Sequence, residues 1–214
     1  RRLARARRPV SVRAILWDLG RTLADWNPDY LYRRLIPDAE ERRDFLMSVC
    51  TMDWHEAHDR GVSMAANREA LIRQHPDRAA LIEAWDTGWN AMFSGYMPGM
   101  DGVIETLHAR GVPQYALSNM PAEKWAAVLA LYPAFGLFET AVISGQEGLV
   151  KPDPAIYALT AARIGTPPPE TLFIDDRLDN IEAGARAGFA VHHFTGAPAL
   201  KAELDRLGLL PLTA

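Results

Sequence analysis

Beyond residue 98 the chain alternates short apolar runs with longer stretches of helical spacing, and this alternation restricts the possible folds more than any other feature. The short runs, bounded by turn residues, predict strands at 113–118, 140–144, 171–175 and 189–194. Apolar residues three and four apart predict helices at about 100–110, 121–131, 153–164 and 178–187, with a last one after Pro198. Strands that alternate with helices pair in parallel, and the crossover helices cover both faces of the sheet. An earlier apolar run at 13–18 ends in Asp18, is followed by a turn containing Gly20, and reads as a further buried strand.

Residues 27–93 follow a different rule. Tyr30, Leu31 and Leu35, then Phe45, Leu46 and Val49, then Leu81, Ile82, Trp85 and Trp89 keep helical spacing throughout, so helices and no strand are expected there. The stretch is an insertion after the first strand, with its joints in the turn-rich loops near Trp26 and near Met97-Pro98-Gly99. The predicted architecture is α/β: a three-layer, Rossmann-like core from residues 13–24 and 98–214, an α-helical cap at 25–97, and a basic arm at 1–12. Gly184 and Gly188 are both expected on a helix, where they permit close packing.

Composition narrows the function. No apolar run approaches the roughly 20 residues of a membrane-spanning helix. Five of the 23 basic residues lie within residues 1–8, so the remainder carries 18 basic against 27 acidic residues and is a poor partner for nucleic acid. One cysteine, Cys50, excludes an internal disulfide and points to a reducing, cytoplasmic setting. The expected partner is a small molecule, with neither nucleic acid nor membrane involved, and no residue pattern fixes an oligomeric state.

In a parallel α/β sheet, ligands bind beyond the carboxyl ends of the strands. There the sequence delivers Asp18, Ser118-Asn119 and Asp175-Asp176, with Lys151 opening a helix expected from Pro152. Three carboxylates on neighbouring strand ends repel one another unless a cation sits among them, and oxygen ligands suit Mg²⁺. Asp18 could then attack a phosphoryl group, with Lys151 and Ser118 holding the phosphoryl oxygens. There is no dinucleotide fingerprint, no Gly-Lys-Ser/Thr phosphate loop and no Gly-x-Ser-x-Gly elbow. His55 and His58 stand three apart, one residue short of the zinc-protease spacing. Trp54, His55 and His58 are expected instead to face the site from the cap and bind substrate, and His192-His193 to be structural.

These residues resemble the haloacid dehalogenase (HAD) superfamily, and within it the members with a small helical cap after the first motif. Ile15-Leu16-Trp17-Asp18-Leu19-Gly20-Arg21-Thr22-Leu23 is similar to the first motif and Ala116-Leu117-Ser118-Asn119 to the second. Lys151-Pro152-Asp153-Pro154 is similar to the third, and Phe173-Ile174-Asp175-Asp176 followed by Asn180 to the fourth. Met97-Pro98-Gly99-Met100 resembles the return from cap to core. The resemblance spans residues 13–194 and implies a Mg²⁺-dependent phosphatase acting on a small phosphate ester through an aspartyl phosphate. It implies Asp18 as nucleophile and metal ligand, the Gly20 carbonyl as a further ligand, and Asp175 and Asp176 completing the metal site. Ser118 and Asn119 would bind the phosphoryl group, and Lys151 would steady it and Asp18.

One position departs from the pattern. Most phosphatases of the superfamily carry a second aspartate, the general acid and base, two residues after the nucleophile, and here Gly20 stands there. The Asp-Leu-Gly pattern resembles a subgroup of sugar-phosphate phosphatases. With no proton donor at that position, anomeric and aryl phosphates are expected to be preferred, unless a cap group such as His55 or His58 donates. Two other readings stand beside the phosphatase. A 2-haloacid dehalogenase uses the same kind of nucleophile without a metal, and a non-catalytic phosphate-binding protein would keep the fold and lose turnover.

Overall fold

The computed structural model describes residues 11–210. All but the last two residues of the expected basic arm therefore lie outside the described residues. Strand β1 (Ala14–Trp17) is wholly buried at the centre of a five-stranded parallel sheet with β4 (Gln114–Ser118) on one side and β6 (Thr171–Asp175) on the other. β5 (Thr140–Ile143) and β7 (Ala190–His193) form the edges, giving the order β5-β4-β1-β6-β7. The chain fills one side of β1 before crossing to the other, so the carboxyl ends of β1, β4 and β6 converge where the order reverses.

The period-two alternation of a strand divides each sheet residue between two apolar layers. Ile15, Trp17, Ala116, Leu172 and Ile174 face one cluster, which takes in Val103, Ile104 and Leu107 of α6 (Val103–Ala109) and Val128 of α7 (Trp125–Leu131). Leu200 and Leu204 of α11 (Ala197–Arg206) complete that layer. Ala14, Leu16, Tyr115, Leu117 and Phe173 face the other, built on Ile156 and Tyr157 of α9 (Pro154–Arg163) and Ile181 and Ala183 of α10 (Leu178–Arg186). Polar groups within the first layer pair with one another: Trp17 Nε1 donates to Gln114 Oε1 at 3.0 Å, and Gln114 Nε2 donates to the Ile104 carbonyl at 2.9 Å.

The inserted segment holds α1 (Asp29–Leu35), α2 (Ala39–Ser48), α3 (Met52–Asp59), α4 (Met64–Gln74) and α5 (Ala79–Thr87). Asp38, Thr51 and Ser63 cap α2, α3 and α4 by accepting from backbone N–H groups of the first turn. These helices enclose their own apolar cluster around Tyr32, Phe45, Met64, Ile82, Trp85 and Met92. Cys50 is buried within it as a free thiol.

Three details differ from the sequence expectation. The segment is not helical to its ends, because β2 (Ala24–Trp26) and β3 (Phe93–Tyr96) pair antiparallel at its root. The helix expected from Pro152 starts at Pro154, where Asp153 caps it by accepting from the Ala155 N–H at 2.8 Å; the Lys151–Pro152 peptide ahead of it is cis. Gly184 is helical, but Gly188 lies beyond α10 in a left-handed turn with φ of 92°. Among the described residues, no helix is long and apolar enough to cross a membrane.

Candidate active site

β1, β4 and β6 deliver Asp18, Ser118 and Asp175 to one rim, and Lys151 reaches that rim from the loop ahead of α9. The Lys151 ammonium donates to Asp18 Oδ1 at 2.7 Å, to Asp175 Oδ2 at 2.7 Å and to the Leu117 carbonyl at 2.9 Å, which accounts for its three N–H bonds. Burial alone would push this lysine's pKa down; the Asp175 and Asp18 carboxylates outweigh it, so the net shift is upward and the ammonium stays charged. Asp18 Oδ2 accepts from Thr22 Oγ1 at 3.1 Å. The Asp18 carboxyl is nevertheless pushed up to about 7, chiefly by burial and further by Asp175 and Asp176, because Lys151 offsets only part of the desolvation.

Asp18, Asp175 and Asp176 each present a carboxylate oxygen, all within 4.8 Å of one another. Their partners separate them. Asp175 Oδ1 accepts from the Arg177 N–H at 2.8 Å and from Asn180 Nδ2 at 3.0 Å, while Oδ2 takes Lys151, so both its oxygens are engaged. Asp176 is more open and faces Arg21 Nε at 3.4 Å, and burial beside Asp175 raises its pKa. His193 Nε2 donates to the Asp176 carbonyl at 2.9 Å and so fixes the loop, in keeping with a structural role. The donor chemistry fits a hard divalent cation: oxygen-only ligands, three clustered carboxylates and one fully committed ammonium leave negative charge that nothing buried neutralises.

Asn119 lines the cleft beside Ser118, and its side chain also has a structural task. Its Nδ2 donates to the Lys151 carbonyl at 3.0 Å and its Oδ1 accepts from the Lys151 N–H at 2.8 Å, so the side chain clamps the lysine's backbone. Gly20 borders the cleft, and a Cβ placed on it would meet nothing within 4 Å. Arg21 next to it adopts a left-handed φ of 63°, a conformation that costs a non-glycine residue about 1 kcal/mol or more.

The rim opens into a cleft of about 400 Å³ whose far wall comes from the inserted segment. Trp26, Trp89 and Phe93 make that wall aromatic, with Trp26 stacked on His55 at a ring separation of 5.5 Å. Of the three residues expected to face the site, only His55 lines the cleft. Trp54 packs edge-on against Trp85 and His58, and His58 turns into the helical bundle, where Asn67 Nδ2 meets its Nε2 at 3.0 Å. The reason is helical geometry: residues 52, 53, 55, 56 and 59 of α3 line the cleft, whereas 54 and 58 fall on its bundle face. Burial lowers the pKa of His55 to about 3 and of His58 to about 4, so both rings are neutral near pH 7. Sequence reasoning passed over Thr22, the site role of Asn180, and Asp59, whose i,i+4 relation to His55 was the available signal.

Residues 12–188 match the family of haloacid dehalogenase-like hydrolases. A sesquiterpene phosphatase of Aspergillus oryzae, astK, is 25% identical over 201 residues, covering 92% of this chain and 97% of that protein. A HAD-family enzyme from Bacteroides thetaiotaomicron, in a magnesium complex, superposes with a TM-score of 0.68 at 19% identity over 87% of this chain and 95% of that one. L-2-haloacid dehalogenase from Xanthobacter autotrophicus gives 0.63 at 20% identity over 91% and 83%. At these identities the two structures speak for the fold alone, whereas the match to the family runs through the ends of β1, β4 and β6, which carry the site. The chain belongs to the haloacid dehalogenase-like hydrolases.

Proposed function

We propose that the chain is a phosphatase that hydrolyses a phosphomonoester through a covalent phosphoryl group on Asp18. The observation that carries this reading is the pairing of Asp18 with a fully committed Lys151 inside an oxygen-only acidic cluster. Asp18 supplies the attacking carboxylate oxygen, Thr22 and Lys151 orient it, and Asp175 holds Lys151 in place. Ser118, at the end of β4, faces the cleft as a donor to the phosphoryl oxygens, with Asn119 maintaining the lysine loop. Asp18, Asp176 and the Gly20 carbonyl are the groups that would hold a Mg²⁺ ion, whereas Asp175, also expected as a ligand, has both oxygens engaged by Lys151, Arg177 and Asn180 and would orient the site instead. Such an ion neutralises charge on the phosphoryl oxygens when bound.

The helices at α1 to α5 act as a cap, closing the cleft against water during transfer. Their aromatic wall favours a substrate whose organic part is apolar over the sugar phosphate first expected, since Trp26, Trp89 and Phe93 offer surface area and few hydrogen bonds. The kinship with a sesquiterpene phosphatase supports the same choice. The test is a panel of phosphate monoesters, from sugar phosphates to prenyl monophosphates, with 2-haloacids alongside, each assayed with Mg²⁺ and with a chelator. Cation-dependent release of phosphate, strongest for the apolar esters, is the expected result. Halide release that survives the chelator would replace the phosphatase with a dehalogenase.

A further inference from the structure

The phosphatase reading leaves a proton unaccounted for, because Gly20 has no side chain and His55 and His58 are neutral. We propose that Asp59, at the carboxyl end of α3, is the general acid and base of the reaction, supplied by the cap in place of an aspartate at position 20. The proposal rests on the phosphatase reading and specifies its proton transfers.

Geometry singles out this carboxyl. Asp59 lines the same cleft as Asp18, Ser118 and Lys151, is 8% exposed, and its Oδ1 is buried with no hydrogen-bond partner. An isolated buried carboxylate is costly unless it is protonated or meets a ligand. A chain of neutral groups sets what faces it. Asn67 Nδ2 donates to the Trp54 carbonyl at 3.0 Å, which fixes the amide's orientation, and the same nitrogen meets His58 Nε2 at 3.0 Å. His58 Nε2 is therefore an acceptor, and its proton sits on Nδ1, which lies 3.3 Å from His55 Nδ1. That leaves the His55 proton on Nε2, directed at Asp59 Oδ1 across 3.6 Å. An N–H facing Oδ1 makes that oxygen the acceptor side of the carboxyl, so Oδ2 carries the acid proton.

The surroundings hold this acid near neutrality. Burial and the neighbouring Glu56 push Asp59 up to about 7, against the pull of Lys151 across the cleft and of Arg60, which follows it in the chain. The elements packed on α3 add no competing partner: α4 directs Arg68 to Asp86, and Glu147 of α8 (Ser144–Glu147) is held by Arg163. A general acid is most effective with a pKa near the working pH.

Asp18 attacks phosphorus, the bond to the ester oxygen breaks with its electron pair left on that oxygen, and the Asp59 proton is transferred there, releasing the alcohol. Water then attacks phosphorus and gives a proton to the Asp59 carboxylate. The electron pair of the breaking phosphorus–oxygen bond returns to Asp18, and phosphate leaves.

The experiment is single-turnover formation of the phosphoenzyme in Mg²⁺ buffer, across aryl and alkyl phosphates of graded leaving-group pKa, in wild type and Asp59→Asn. Wild type should depend shallowly on leaving-group pKa, and with alkyl esters its rate should rise as Asp18 ionises and then turn down above about pH 7 as Asp59 loses its proton. Asp59→Asn should lose on the order of 10²- to 10⁴-fold with alkyl esters and progressively less as the leaving group becomes more acidic. It should also lack the fall with rising pH. Circular dichroism and the thermal midpoint establish that the isosteric variant is folded. A folded Asp59→Asn whose rates parallel wild type across the series and across pH overturns the assignment of Asp59 alone. Wild type inert toward every ester in the series overturns the phosphatase reading, and the role of Asp59 with it.

Discussion

Asp18 can act as a nucleophile only as a carboxylate, and its environment pulls in two directions. Desolvation raises its pKa to about 7, while Lys151 at 2.7 Å and Thr22 at 3.1 Å stabilise the ionised form. Asp18→Asn keeps the shape and removes the nucleophile, so turnover should fall by on the order of 10⁴- to 10⁶-fold on folded protein. Steady-state kinetics with an aryl phosphate measures this, and retention of a tenth of the wild-type rate contradicts covalent catalysis. Gly20 allows a second residue-level test. Its missing Cβ faces open space, and its backbone lies outside the left-handed region, so Gly20→Asp is sterically free. Introduced into Asp59→Asn, it should return at least about tenfold of the rate lost with alkyl esters, because general acid catalysis requires a donor within reach rather than a donor from one particular element. Phosphoenzyme formation in the double variant decides this. Asp18 and Asp175-Asp176 were legible as single letters because their chemistry is tied to strand ends, and Lys151 because it opens the loop ahead of a helix on the same rim. Asp59 was not, because its significance depends on which face of α3 meets the cleft.

At the scale of elements, the five sheet strands could be read from the sequence because β1, β4 and β6 are wholly buried runs divided between two apolar layers, and the edges β5 and β7 are short apolar runs between helices. β2 and β3 could not be: each is three or four residues long, and its one partner lies some 70 residues away in the chain, so nothing local marks them. The start of α9 was misplaced for a comparable reason, since Pro152 and Pro154 are equally acceptable first residues and the Asp153 cap decides between them. Gly184 shows an element position where packing outweighs propensity. A Cβ there would come within 2.6 Å of the Phe173 ring, which is fully buried on β6 just ahead of Asp175. Alanine gains up to about 1 kcal/mol in helix propensity, while overpacking a tight core costs about 1–3 kcal/mol. Gly184→Ala should therefore destabilise the fold by up to about 2 kcal/mol, as read from urea unfolding. A stabilised variant would mean that α10 shifts freely on the sheet.

For the whole molecule, the site is a property of the junction between the inserted helices and the sheet ends. Lys124 pairs with Asp86 of α5, Arg68 joins the same carboxylate at 2.8 Å, and Glu123 accepts from the Met64 N–H at 3.2 Å at the start of α4. Where α3 meets α8, the His58 carbonyl lies 3.1 Å from the position a Cβ on Gly145 would take. This junction buries Asp59, so its titration reports on the closed arrangement of the whole chain. Folding raises its pKa from the ordinary 3.8 to about 7, which means that the folded chain holds this proton more tightly than the unfolded chain does. The sign follows from linkage: between about pH 4 and 7 the unfolded carboxyl has already lost its proton and the folded one has not. Stability from this group therefore falls as pH rises across that interval and levels off above it. Asp59→Asn removes the contribution, while Asp18 and Asp176, which also titrate, are common to both proteins and largely cancel in the difference. The thermal midpoint of the variant should gain on wild type steadily from pH 4 to 7 and then hold a constant lead. Paired melting curves across that range measure it, and a difference independent of pH would show that water reaches the Asp59 carboxyl and that the junction stands open in solution.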